Sequence, residues 1–307
     1  MLGPSTLLWA LPFLQVALAA PLFKSLFDTD PVLIPASVEA PVAITAKSAR
    51  TDFLRPAKFA RVAYCSSEAV TSWKCGDACE SLGGGIKVLQ AGGDDGLVPM
   101  LVIFGNSCVG WPENIRVHEG FQKTFERTAD GVLAGVKAAL ATAGVNKVVV
   151  TGHSLGTDPP TSFCILRLSF QYAIGAAVAM MDALMLTREL GPSGVEVNTT
   201  LFGLPRGGNA AWADFIDSTL GDSMVHLSNQ NDPVPTLPPR FLGYQHPGGE
   251  VRIDAVGNNG DPTEIAILEG QENENGSFKN SIFNISIPDH LGPYLGNVSF
   301  GDKFCPF

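Results

Sequence analysis

The stretch Lys147-Val148-Val149-Val150-Thr151-Gly152-His153-Ser154-Leu155-Gly156 decides how this chain is read. Its apolar start has the character of a buried strand. The strand runs straight into the pattern G-x-S-x-G, which has a steric reason. A strand that breaks at once into a helix turns so sharply that the positions two before and two after the serine must lack side chains. The serine is then held in a strained conformation with its hydroxyl above the sheet. The backbone N–H of Leu155 points to where an oxyanion would form. G-x-S-x-G is common by itself, and the preceding strand gives it weight. The expected chemistry is acyl transfer at Ser154.

A serine hydroxyl needs a histidine to take its proton and a carboxylate to hold that histidine's tautomer. In this architecture the chain order is Ser, then Asp or Glu, then His. Asp232 is the best acid, because it follows the apolar run Met224 to Asn231 and so sits at a strand end. The prolines of Pro233-Val234-Pro235-Thr236-Leu237-Pro238-Pro239 would stiffen its loop. Asp214, Asp217 and Asp222 fall in or just after an expected surface helix. Of five histidines, His153 lies inside the elbow, facing away from the hydroxyl. His118 precedes the serine, and His226 lies within a strand. His246 and His290 remain, and His290, in a late loop, is preferred.

The 307 residues are 45% apolar and 16% charged, enough for a large single core. Net charge is −10 and the sequence pI is near 4.9. No basic patch stands out, which argues against a nucleic-acid partner. Residues 1–19 read as a signal peptide, with an apolar run from Leu7 to Ala19 and an A-x-A site at Ala17-Leu18-Ala19. That run and Leu168 to Met181 are both too short to span a bilayer, so no stable membrane insertion is expected. Sequons at Asn198, Asn275, Asn284 and Asn297 point to glycosylation and export.

Six cysteines fit an oxidising compartment, and the expected location is extracellular. Cys75 and Cys79 are spaced for a small local loop. Zinc is the competing reading there, but no second pair of ligand spacing follows. Cys65 and Cys305 lie near the two ends of the mature domain, and linking them would stabilise by roughly 4–5 kcal/mol. Cys108 and Cys164 are left over.

Residues 20–50, rich in Pro, Ala and Val, read as a leader or N-terminal arm, leaving 51–307 as the folded domain. Leu54 to Tyr64 reads as helix, and Ile86 to Gln90 and Val98 to Phe104 as strands. Glu119 to Ala143 is a long amphipathic helix whose stripe of Phe121, Phe125, Val132, Val136 and Leu140 faces core. Ala176 to Leu190, apolar nearly all round, reads as a buried helix. Val195 to Leu204, Met224 to Asn231 and Glu250 to Val256 read as strands, with a helix at Ala210 to Leu220. This alternation predicts an α/β protein with a mostly parallel central sheet and helices on both faces.

Several further stretches form a set. They are Arg116-Val117-His118-Glu119-Gly120-Phe121, Phe202-Gly203-Leu204-Pro205-Arg206-Gly207-Gly208-Asn209, the Asn231 to Pro239 segment, and His290-Leu291 with Tyr294. With the elbow, and in this order, they resemble the motifs of the fungal class-three lipases, the secreted α/β-hydrolase family of the Rhizomucor and Thermomyces lipase type. The resemblance runs from about Leu54 to Cys305. It implies an α/β-hydrolase fold with Ser154 as nucleophile, Asp232 as acid and His290 as base. It also implies an acylglycerol or other ester substrate, presented at a lipid–water interface, and no metal or organic cofactor.

The chain departs from that pattern twice. In the family, helix residues follow the elbow at once. Here Gly156 is followed by Thr157-Asp158-Pro159-Pro160, and adjacent prolines oppose a helix there. The expected continuation appears only at Gly175-Ala176-Ala177. Removing residues 157–175 restores Gly156-Ala176-Ala177, and nineteen residues are 57 nucleotides, in frame. The segment is therefore expected to be a translated intron, with a genuine flap beside the site as the competing reading. Upstream, Gly105-Asn106-Ser107-Cys108 is followed by only eight residues before Val117, so the lid is shortened or absent and Asn106 stands in as second oxyanion donor. Losing one such donor costs about 10²–10³ in turnover. The alternatives are thus a feruloyl-type cell-wall esterase on the same fold and a catalytically impaired secreted protein.

Overall fold

The computed structural model describes residues 36–88, 91, 104–105, 114–154, 175–281 and 284–305. In chain order its strands are β1 (Val42–Ala43), β2 (Phe104–Gly105), β3 (Val117–His118), β4 (Lys147–His153), β5 (Glu196–Phe202), β6 (Gly208–Asn209), β7 (Met224–Asn229), β8 (Tyr244–Gln245), β9 (Glu250–Val256) and β10 (Pro262–Ile267). The helices are α1 (Ala46–Val62), α2 (Ser67–Thr71), α3 (Gly76–Glu80), α4 (Glu119–Ala143), α5 (Ala176–Leu190), α6 (Ala210–Leu220) and α7 (Ile287–Leu291).

The main sheet has the order β1-β10-β9-β7-β5-β4. Strands β4, β5, β7 and β9 run parallel, and β10 and β1 are added antiparallel at one edge. A smaller antiparallel sheet has the order β2-β3-β6-β8. Two adjacent residues of β5 show how the layers form, because successive strand side chains point to opposite faces. Leu201 packs with Met180 and Leu184 of α5 and with Trp212 and Ile216 of α6. Phe202 packs with Phe53 and Ala57 of α1 and with Tyr294 and Phe300 near the C-terminus. Helices therefore cover both faces of a mostly parallel sheet, as the alternation of elements predicts.

The helices α4, α5 and α6 have the bounds that their apolar patterns predict. Helix α4 is capped by His118, whose Nδ1 accepts the Gly120 N–H at 3.2 Å. It ends at Gly144, where φ is +65°. Only Gly120, Phe121 and Thr124 of α4 are fully buried. Val132, Val136 and Leu140 of its stripe are partly buried against Leu186, Leu190 and Val197.

The N-terminal arm is corrected. Helix α1 begins at Ala46 rather than Leu54, with Thr45 Oγ1 capping it by accepting the Ser48 N–H at 3.1 Å. Val42 and Ala43 pair with Ile267 and Ala266 at the sheet edge. The expected boundary between residues 50 and 51 thus falls inside a helix, and the end of the arm is part of the domain. Its buried stripe contains Ala49, Phe53, Ala57 and Ala60, and small side chains give a weak periodic signal. Other elements differ as well. Ile86 to Val88 are irregular rather than strand, and the strand expected at Val98 to Phe104 is described only as the short β2. Strand β7 stops at Asn229, two residues short of Asn231.

Cys65 is bonded to Cys305 and Cys75 to Cys79, so the latter pair is a disulfide and not half of a zinc site. Cys108, Cys164 and the signal-peptide stretch 1–19 lie outside the described residues. Among the described residues, no helix is long and apolar enough to cross a membrane.

The Cys65–Cys305 bond joins residues 240 apart, so its loss frees the most chain. Cys305→Ser is expected to lower the unfolding free energy by about 5 kcal/mol in the chain-entropy model, and Cys79→Ser by less than half of that. Urea titrations of the two variants test the order. Equal losses would show that loop length does not govern the effect.

Candidate active site

Ser154 follows directly on β4 and takes up φ +68°, in the left-handed region. A non-glycine residue there is strained. Two backbone hydrogen bonds hold it. Ser154 N–H donates to the Phe202 carbonyl at 3.0 Å, and the Ala176 N–H donates to the Ser154 carbonyl at 2.7 Å. The second bond brings the start of α5 directly beneath the serine. Gly152 makes that approach possible, since a Cβ on it would lie 2.9 Å from the Ala179 Cβ and 3.3 Å from the Ala176 backbone. Ser154 and Ala176 stand 22 positions apart in the chain. Without residues 157–175 they would stand three apart, the spacing of a helix's first turn.

Asp232 is reached three residues after β7, where its N–H donates to the Asn229 carbonyl at 3.0 Å. Its Oδ1 accepts the Val234 N–H at 2.8 Å. Its Oδ2 accepts from His290 Nδ1 at 2.9 Å and from the Tyr294 hydroxyl at 3.4 Å. His290 lies on the short helix α7 rather than in the loop expected there. Ser286 caps α7 by accepting the Asp289 N–H at 3.2 Å. Helix α7 is stitched to the Asp232 segment: the Asn231 N–H donates to Asp289 Oδ2 at 3.0 Å, and Asn229 Nδ2 to the Asp289 carbonyl at 2.8 Å. His290 Nε2 lies 2.7 Å from Ser154 Oγ. With Nδ1 donating to the carboxylate, Nε2 is free to accept the serine proton. The structure therefore brings Ser154, His290 and Asp232 into one hydrogen-bonded line. All three are buried, Asp232 completely.

Further residues, to which the sequence alone gave no role, complete the site. His153, turned away from the hydroxyl, donates from Nε2 to the His290 carbonyl at 2.9 Å. Its Nδ1 accepts from the Tyr64 hydroxyl, and its ring stacks on Phe300 with centroids 3.9 Å apart. Burial first, and then the neighbouring His290, push His153 well below the usual histidine range, so it stays neutral and keeps this tautomer. Burial and then the Asp232 charge raise the Tyr64 and Tyr294 hydroxyls, which remain protonated donors. Gly203, at φ +54°, lies under the base and acid. A Cβ there would sit 2.9 Å from His290 Cε1 and 3.0 Å from Asp232 Oδ2. The signal for Gly203 was its place in the Phe202 to Asn209 motif. Tyr64 carried none.

The other histidines lie elsewhere. His118 caps α4, and burial lowers it to about 4. His226 and His246 are buried and their rings stack, with centroids 5.2 Å apart. His246 Nε2 donates to the Pro235 carbonyl at 2.8 Å, and burial brings it down to about 3. Leu155, Asn106 and the 157–174 part of the expected insert lie outside the described residues. Of the sequons, Asn284 and Asn297 are exposed and Asn198 and Asn275 half-buried. Among the described residues no group of histidine, cysteine or carboxylate side chains is arranged to hold a metal.

A family model described as Lipase (class 3) matches residues 95–158 and 172–242, its break falling within the suspected insert. The secreted mono- and diacylglycerol lipase LIP1 of Malassezia globosa is 33% identical over 185 residues, covering 60% of this chain and 52% of that protein. The lipase LIP2 of Malassezia restricta, of the same description, is 33% identical over 180 residues, covering 59% and 49%. The chain spans about half the length of these curated relatives. Their names mark them as secreted, and an extracellular location accords with the two disulfides here. Lipase II from Rhizopus niveus shares the fold, with a TM-score of 0.66 at 22% identity over 86% of this chain and 99% of that one. The Rhizomucor miehei lipase in its propeptide complex gives 0.65 at 22% identity, over 89% and 94%. With its elbow, its mostly parallel sheet and these likenesses, the chain has an α/β-hydrolase fold and is similar to the class 3 lipases over the matched residues.

Proposed function

We propose that this protein is a secreted serine hydrolase that cleaves carboxylic esters, with acylglycerols as its substrates. The hydrogen-bonded line from Ser154 through His290 to Asp232 carries this reading. Ser154 Oγ attacks the ester carbonyl as His290 Nε2 takes its proton. Asp232 holds the imidazole in the tautomer that accepts at Nε2 and stabilises the imidazolium that forms. The proton passes to the departing alcohol, leaving an acyl group on Ser154. Water, activated by the same imidazole, then releases the fatty acid. The Leu155 N–H follows the serine directly and is proposed as one oxyanion donor, with Asn106 as the other. Mono- and diacylglycerols are the substrates in the names of the Malassezia relatives, which supports the glycerol-ester choice.

The lipid–water interface is proposed as the place of action. Leu237, Phe241, Phe278 and Ile285 are exposed on the segments that follow Asp232 and precede His290. Phe241, on the loop that follows Asp232, is 71% exposed. Asn284 and Asn297 are proposed as glycosylated, together with the half-buried Asn198 and Asn275. The 157–175 segment is proposed as an insertion and not part of the site.

A fluorophosphonate should label Ser154, and the protein should hydrolyse diacylglycerol in preference to methyl ferulate. Ser154→Ala should abolish both labelling and turnover. Gly203→Ala should lower turnover by about 10²-fold or more, because its methyl group displaces the base from the acid. Absence of labelling, or a preference for the ferulate, would overturn the reading. A chain lacking residues 157–175 should fold and turn over faster, by up to about 10²-fold, the worth of one oxyanion donor. A slower or unfolded product would show that the segment is integral.

A further inference from the structure

We propose that Arg206, Glu272 and His246 are positioning residues that hold Asp232 in place by gripping the loop behind it. The proposal rests on the ester-hydrolase reading of Ser154, His290 and Asp232. The loop begins Pro233-Val234-Pro235-Thr236-Leu237-Pro238. Proline has no N–H, so this stretch cannot be secured by pairing as a strand. Its carbonyls are secured instead. Pro235 O accepts from His246 Nε2 at 2.8 Å. Thr236 O and Pro238 O accept from Arg206 Nη1 at 2.6 and 3.1 Å. Leu237 O accepts the Arg206 backbone N–H at 2.8 Å. Four successive carbonyls are thus held by two residues.

Glu272 locks those two donors together. It takes a forked pair of bonds from Arg206, Nε to Oε1 at 2.5 Å and Nη2 to Oε2 at 2.8 Å. Oε1 also accepts the His246 N–H at 2.8 Å. The Arg206 and Glu272 side chains are 4% and 1% exposed, so the fork is dry and its geometry rigid. Burial works to raise the Glu272 carboxyl, but the Arg206 hydrogen bonds and the nearby charges outweigh it and hold it at about 2. The grip reaches Asp232 through one tight turn. Thr236 N–H donates to Pro233 O and Leu237 N–H to Val234 O, both at 3.0 Å, while the Val234 N–H donates to Asp232 Oδ1. Arg206 comes from the segment that also supplies Gly203, beneath the carboxylate. One turn of chain thus gives the acid both its space and its anchor.

Two sets of variants test this. Arg206→Met with Glu272→Met replaces the buried pair by apolar groups of similar length, an exchange that proteins often tolerate. The double variant should still fold and keep its KM while kcat falls between about 10- and 10²-fold. The far-downfield proton resonance of the His290–Asp232 hydrogen bond should broaden or shift. His246→Leu should lose kcat in the same way, and His246→Gln, which keeps a donor for Pro235, should recover most of it. A folded double variant with unchanged kcat and resonance overturns the proposal. If the double variant does not fold, His246→Leu with undiminished kcat overturns it. A wild-type chain that neither hydrolyses esters nor is labelled at Ser154 sinks the hydrolase reading instead, and the resonance still reports on the grip.

Discussion

The left-handed backbone at Ser154 is the constraint from which the site is built. A side chain at φ +68° costs on the order of 1–3 kcal/mol. Bonds to the neighbouring strand and from the helix beneath offset that cost. The Ser154 N–H is taken by Phe202 of β5, and its carbonyl by Ala176 of α5. The helix reaches that position only because Gly152 leaves room for Ala179. Sheet, helix and serine therefore form one packed unit. The hydroxyl is aimed by the core and not by its own rotamer alone.

The imidazole that meets this hydroxyl is held on three sides. Its Nδ1 is tied to Asp232, its carbonyl to His153, and its helix to Asn229 and Asn231. These groups are buried, where an unmade hydrogen bond is expensive. The network thus has few alternative arrangements, which suits a group that must pass a proton without moving. The far side of His153 leads to Tyr64 and Phe300. Tyr64 adjoins Cys65, whose bond to Cys305 ties the C-terminal segment down. The longest covalent loop of the chain closes next to the residues that support its base.

The five histidines show how one residue type is put to different uses by its surroundings. His118 caps a helix, His153 holds a carbonyl, His246 grips the acid loop, His226 stacks on His246, and His290 faces the serine. Burial lowers His118, His153, His226 and His246, so these four work as neutral hydrogen-bonding groups. The sequence set His290 apart from the other four, but it did not give those four their roles.

Local patterns were enough for the layered α/β architecture and for naming Ser154, Asp232 and His290 as the residues to watch. The elbow is a local event, a strand's apolar run broken by glycines. The helices at 119–143, 176–190 and 210–220 carry their periodicity in full view. Helix α1 was missed at its start because its buried stripe is mostly alanine, and β1 because two residues at a sheet edge make no pattern. Tertiary structure alone decided that Tyr64 stands behind His153, that Gly203 must leave space for base and acid, and that His246 serves the acid loop. Those contacts join residues 11 to 89 positions apart, and one of them is made to a carbonyl, which every residue possesses. Periodicity records which face of an element is buried. It does not record which partner the fold brings to it.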